Sequence, residues 1–223
     1  MTLKKLAVPF LLIFPMCLVS SSLFANVEQQ TKTMELNYDG FFDRMDDLDE
    51  AEYVDIKLAF YFNQINSKKA CPIRSAKLQT KIKSMPVYYL ENGEVLLPFD
   101  EQLDMDKAKL VIETEKGLEC GLNMRLENSF LLASTIDNTK LVRLVATFND
   151  ALQDLGGMMS FLVPKVTGVT VLGKTGEQLS IINGDESWCS DNQCILTSAI
   201  LKNAEKPFVF SSIPSKIVPF IKQ

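Results

Sequence analysis

Four cysteines carry most of the covalent chemistry open to this sequence: Cys71, Cys120, Cys189 and Cys194. Their number is even, and four thiols allow three pairings. Spacing favours Cys71–Cys120 and Cys189–Cys194. The second pair closes the tight loop WCSDNQC, a C-x₄-C arrangement unlike the C-x-x-C of a redox enzyme, so both bridges read as structural. Chain-entropy arguments give roughly 4 kcal/mol for the long loop and about 2 kcal/mol for the short one. The same loop holds the single tryptophan, Trp188, among Asp185, Glu186 and Asp191. A tryptophan beside a disulfide is commonly packing, and in a stapled loop it is also a binding anchor. Asp185, Glu186, Trp188 and Asp191 are therefore the candidate binding loop.

Other chemistry is bounded by what the sequence holds. There is no histidine, which removes Ser-His-Asp and Cys-His arrangements and H-E-x-x-H zinc sites. With the cysteines paired, thiolate metal sites fall away as well. No catalytic, cofactor or metal residue is assigned, and no cofactor is expected. Gly168-Val-Thr-Val-Leu-Gly173-Lys174-Thr175 matches the letters of a phosphate-binding loop. Such a loop needs four middle residues that wrap a phosphate and a helix that starts at the lysine. Here Val-Thr-Val-Leu alternates like a strand, and Gln178–Ile182 reads as its partner across a Gly-Lys-Thr-Gly turn. The acidic run Asp39–Asp55 lacks the alternating carboxylates and central glycine of a calcium loop. It reads as a solvated face, with a weak cation site or a docking face for a basic partner as the alternative.

These residues must be positioned by elements whose period is legible. Tyr38, Phe41, Phe42, Met45 and Leu48 step by three and four, predicting a helix over about 37–48 with Asn37 as its cap. Leu141, Leu144, Val145, Phe148, Leu152 and Leu155 predict a second helix over about 138–155, capped by Asp137 or Asn138 and stopped by Gly156-Gly157. Alternation predicts strands at Tyr53–Asn63, at 76–82, and at Val87–Leu90 and Glu94–Leu97 around Glu91-Asn92-Gly93. Asp100–Leu103 reads as one helical turn. Ala108–Leu126 reads as a central hairpin that turns at Lys116-Gly117. Residues 26–35 read as frayed, 128–136 as ambiguous, and Met158–Val163 as a buried strand closed by Pro164. Further strands follow at 169–172, 195–201 and 208–210. Pro207, Pro214 and Pro219 suit edge strands or an extended tail. Residues 94–113 and 193–212 share a strand, short helix, strand pattern, a faint internal echo.

The first 25 residues read as a signal peptide. Lys4 and Lys5 precede an apolar stretch from Leu6 to Val19, shorter than a membrane span, and small residues follow. Cleavage is expected after Ala25, with Ser21 or Ser22 as alternatives. Cys17 lacks the small residue before it that a lipobox requires. Cleavage leaves residues 26–223 as a single domain, with two half-domains meeting near 127–137 as the alternative. The leader holds two of the 23 basic residues and none of the 28 acidic ones. The mature balance is therefore 21 minus 28, or −7. Such a chain has no electrostatic footprint for nucleic acid or anionic lipid, and no later segment predicts a transmembrane helix.

The fold class expected is α+β: largely antiparallel sheet with two amphipathic helices, held by disulfides. In order along the chain, YDGFF, DIKLAFYF, Cys71, VLLPFDEQL, KAKLVIE, the CGLNM that starts at Cys120, GGMMSFLVPKVTGV and PSKIVPFI together resemble an uncharacterised domain-of-unknown-function family of secreted gammaproteobacterial proteins. That resemblance implies an exported protein and carries no assigned activity or catalytic residues. The function expected is a non-enzymatic periplasmic protein that binds an envelope partner or small ligand. A carboxylate hydrolase and a hydrophobic-ligand carrier are the alternatives.

Overall fold

A computed structural model describes residues 31–67 and 69–222. The proposed leader lies outside the described residues, as does the 26–30 stretch expected to fray.

The chain opens with β1 (Thr31–Asn37) and α1 (Asp39–Asp46). The frayed reading of 26–35 is thus corrected for its described end. Met34 and Leu36 alternate toward the interior, and all seven residues of β1 pair antiparallel with a later strand. Asn37 belongs to β1, not to a helix cap; at the start of α1 the Asp39 carboxylate accepts the Gly40 N–H at 2.7 Å.

β2 (Ile56–Gln64), β3 (Ile73–Gln79), β4 (Ser84–Pro86), β5 (Tyr88–Tyr89) and β6 (Glu94–Leu96) follow. β2 buries both faces, with Phe60 and Phe62 on one and Ala59 and Tyr61 on the other. The β5–β6 hairpin turns where the sequence indicates: Gly93 takes φ +85° and Asn92 Oδ1 accepts the Glu94 N–H at 3.0 Å. α2 (Glu101–Met105) starts where the Asp100 carboxylate accepts the N–H groups of Gln102 and Leu103.

β7 (Lys109–Glu115) and β8 (Cys120–Asn128) overturn the central hairpin. They do not pair with each other. β7 lies between β1 and β3 in the order β1-β7-β3-β4, while β8 pairs with β2 in the order β5-β6-β2-β8. The turn at Lys116-Gly117, with Gly117 at φ +92°, sends the chain from one sheet into the other. Phe60, Phe62 and Val95 from one sheet meet Ala76, Leu78, Leu110 and Ile112 from the other. The two sheets form a sandwich, and Tyr38, Phe41 and Leu103 close its end. Cys71, after β2, bonds to Cys120 at the start of β8 with Cα atoms 6.1 Å apart.

The ambiguous stretch supplies β9 (Thr135–Ile136). α3 (Asn138–Gly156) begins where the Asp137 carboxylate accepts the Thr139 N–H at 2.8 Å and ends before Gly157 at φ +49°. Gly157–Leu162 is then a short 3₁₀ segment, not a buried strand. Apolar composition alone does not distinguish a core strand from an exposed turn.

β10 (Val166–Leu172) is central to a third four-stranded sheet, made with β11 (Cys189–Ser190), β12 (Gln193–Thr197) and, later, β14 (Lys216–Ile221), in the order β11-β12-β10-β14. β12 and β14 take both edges of β10, so Gln178–Ile182 is not its hairpin partner; Ile181 instead bridges Phe210. The strand expected over 195–201 stops at Thr197, which caps α4 (Ser198–Asn203). β13 (Phe208–Val209) pairs with β9, and Pro219 sits in the edge strand β14. Leu141, Leu144, Phe148 and Ala151 of α3 pack with Val169, Val171, Leu196 and Ile217 in a second core. Leu58 touches both cores. Residues 94–113 and 193–212 both run strand, short helix, strand. The architecture is α+β with mainly antiparallel sheets, four α-helices among the described residues, and two disulfides.

Candidate functional site

The most charged interior lies where β14 meets the outer face of the sandwich. Strand alternation puts Lys57 and Tyr61 on that face of β2, Glu127 beside them on β8, and Glu94 opposite Tyr61 on β6. Glu94 is 5% exposed and Glu127 1%. The Tyr61 hydroxyl donates toward both carboxylates, 2.7 Å from Glu127 and 3.0 Å from Glu94. Lys216 reaches in from β14 to the Tyr61 oxygen and lies 3.0 and 3.1 Å from the two Glu127 oxygens. Lys57 is 3.0 Å from Glu94. Two carboxylates and two ammoniums cancel. Burial alone would raise the Glu94 carboxyl, but the Lys57 ammonium, the Tyr61 hydroxyl and Lys216 outweigh it and hold Glu94 below its ordinary range. Burial, then Glu127, pushes the Tyr61 hydroxyl up. A general acid needs the opposite shift on its carboxyl, and neither glutamate lines any of the cavities described below. The cluster has the chemistry of a joint between sheets.

A polar cavity of about 340 Å³ lies on one flank of α3, lined by Glu52, Tyr53, Thr147, Asp150, Gln153 and Asp154. The Tyr53 hydroxyl donates to Asp154; burial, then Asp154, pushes that hydroxyl up. Among the described residues no group of three or more Cys, Asp or Glu side chains is arranged to hold a metal ion.

The other flank of α3 differs. Val142, Val145, Ala146 and Asn149 step by three and four along a stripe at the edge of the core, with Val142 and Ala146 exposed and Val145 half-buried against it. With Lys165 just before β10, Val166 and Thr167 of β10, and Ser198, Leu201 and Lys202 of α4, they line a groove of about 450 Å³. A second cavity of about 350 Å³ shares Asn149 and Lys165 and continues to Ser160, Val163 and Pro164. It leads to the 157–162 turn, where Met158 is 98% exposed, Phe161 80%, Leu162 68% and Met159 65%. Monomers seldom display adjacent large apolar side chains without a use.

The residues singled out from the sequence are spread through the fold. Both cysteine pairs are bonded as expected, with the Cys189 and Cys194 Cα atoms 4.0 Å apart across the β11–β12 hairpin. In the candidate loop, the Asp185 carboxylate accepts the Ser187 N–H at 2.9 Å, and that bond, then the Ser187 hydroxyl, holds its carboxyl below the usual range. Glu186 is exposed; Asp191 occupies the turn at φ +54°. Trp188 is half-buried, edge-on to Phe208 and packed on the second core. The loop-like motif at 168–175 is β10 and a turn, with no helix at Lys174. Its first glycine serves the sheet: a Cβ on Gly168 would lie 2.7 Å from the Thr197 Cα. The sequence pattern alone does not mark Glu94, Glu127, Lys216 or the 157–162 turn as functional. Glu127 falls in the polar register of β8, the one available signal, but only β14 shows that this face is covered.

The model of the family described as Protein of unknown function (DUF2987) matches residues 30–172. The chain belongs to that family. No curated protein and no solved structure matches the chain. The DUF2987 match takes in the sandwich, α3, the apolar turn and β10. α4, the far wall of the groove, and β14 with Lys216 lie beyond residue 172.

Proposed function

We propose that this protein is exported to the periplasm, processed near Ala25 to a single unit of residues 26–223, and acts there as a non-enzymatic binding protein. Its binding surface is the 157–162 turn with the adjoining groove. The observation that carries this reading is the exposure of Met158, Met159, Phe161 and Leu162 on one short turn. Covering such a side chain is worth about 1.5–3 kcal/mol, enough for four of them to anchor a partner. The two disulfides support an oxidising compartment. Among the described residues no helix is long and apolar enough to cross a membrane.

The 185–194 loop is the secondary surface. Trp188 offers only its outer edge, because Phe208 and the core hold the other side. The carrier alternative draws support from the groove itself. The hydrolase alternative needs a raised carboxyl in a cleft, and Glu94 is shifted the other way.

The test places a photoreactive residue at Met159 in the full chain, in living cells, with and without Met158→Ser and Phe161→Ser. A discrete adduct in the envelope fraction that the double substitution removes is the expected result. An adduct unchanged by the substitutions, or none, overturns the assignment of the turn.

A further inference from the structure

The groove beside α3 has a simple chemical inventory. Its walls are Val142, Val145, Ala146, Val166 and Leu201. Its neutral polar side chains are already engaged with backbone. Asn149 accepts the Val166 N–H at 2.9 Å and donates to the Val145 and Val166 carbonyls at 2.8 and 3.1 Å. Ser198 donates to the Thr167 carbonyl at 2.9 Å, and Thr167 to that of Phe220 at 3.4 Å. With those donors engaged, what chiefly remains for a ligand is apolar wall and the ammoniums of Lys165 and Lys202, beside the acceptor lone pairs of the Ser198 and Thr167 hydroxyls. Among the described residues neither ammonium has a carboxylate within ion-pair distance, and no acidic residue lines the groove. These two exposed ammoniums belong to a chain of formal net charge −5.

The occupant that matches this lining is apolar along its length and anionic at its head. The volume of about 450 Å³ lies within the range of small-molecule sites. We propose that the groove binds a free single-chain carboxylate amphiphile, with its alkyl chain against Val142, Val145 and Ala146 and its head met by Lys165 and Lys202. The inference rests on the binding reading above and gives its ligand class.

Dodecanoate below its micelle concentration is the probe, compared with dodecanol and dodecyltrimethylammonium by calorimetry and by amide shifts of the purified protein. Dodecanoate is expected to bind tightest, at least tenfold over the alcohol, with shifts confined to 142–149, 165–167 and 198–202. Lys165→Met with Lys202→Met should bring dodecanoate down to the alcohol's affinity and leave the alcohol unchanged. Ala146→Phe fills the groove from an exposed helix position and should weaken both at least tenfold. No dodecanoate binding, equal binding of the cationic amphiphile, or indifference to Ala146→Phe overturns the proposal. Failure here with an intact crosslink at the 157–162 turn removes only the ligand class; loss of that crosslink dependence with dodecanoate still bound removes only the turn.

Discussion

Lys216 shows how one side chain joins two sheets. It approaches Glu127, a carboxylate 1% exposed, and its removal leaves that charge with Lys57 at 3.9 Å as its nearest cation. Removing one partner of a buried pair costs about 3–5 kcal/mol. Lys216→Met should lower the denaturation free energy by that order in urea titrations. Lys57→Met should cost less, because the Lys57 side chain is 46% exposed and water already screens it. The same cluster sets a pH dependence. The Glu94 carboxyl is lowered on folding from an ordinary value of 4.5, so its ionised form favours the folded state. That contribution is complete above 4.5 and is lost as pH falls through the lowered folded value. Urea titrations from pH 6 down to pH 3 should show stability falling, and Glu94→Gln should flatten that part of the profile. Glu94 and Glu127 look like ordinary surface charges of amphipathic strands in the sequence. Their burial comes from β14, some 90 residues downstream of Glu127, and strand period carries no information about such a partner.

At the scale of elements, legibility followed the range of the forces. α3 was readable because its stripe, its Asp137 cap and its Gly157 stop are all local. The β5–β6 hairpin was readable for the same reason: Asn92-Gly93 determines the turn. β7 and β8 had the right strand character, yet their partners are set by the sandwich, and alternation is the same whether two arms pair together or part. The apolar stretch at 157–162 failed in the opposite sense, since its hydrophobicity marks an exposed surface. Gly168 offers a test of the element that resembles a phosphate loop. A Cβ there meets β12 at Leu196 and Thr197, and overpacking of this kind costs about 1–3 kcal/mol. Gly168→Ala should lower the melting temperature, while ATP with magnesium should leave the melting temperature of the unsubstituted protein unchanged. A nucleotide-dependent rise would revive the motif.

For the whole molecule, the disulfides hold the fold at two different scales. Cys71–Cys120 spans 49 residues and staples one sheet of the sandwich, whereas Cys189–Cys194 spans 5 and fixes a single hairpin. Replacing the first pair with alanine should cost roughly 4 kcal/mol and the second about 2 kcal/mol, read from denaturation midpoints. The three four-stranded sheets feed two cores that meet at Leu58, and α3 stands on the second core with one acidic flank and one apolar flank. The apolar flank, with its turn and its two lysines, is the proposed binding surface. Native mass spectrometry of the protein, purified gently from its own cellular compartment, tests that most directly. The expected result is the mass of residues 26–223 less four hydrogens, together with a non-covalent adduct that Met158→Ser with Phe161→Ser or Ala146→Phe diminishes. A bare polypeptide mass, or an adduct indifferent to those substitutions, would contradict it.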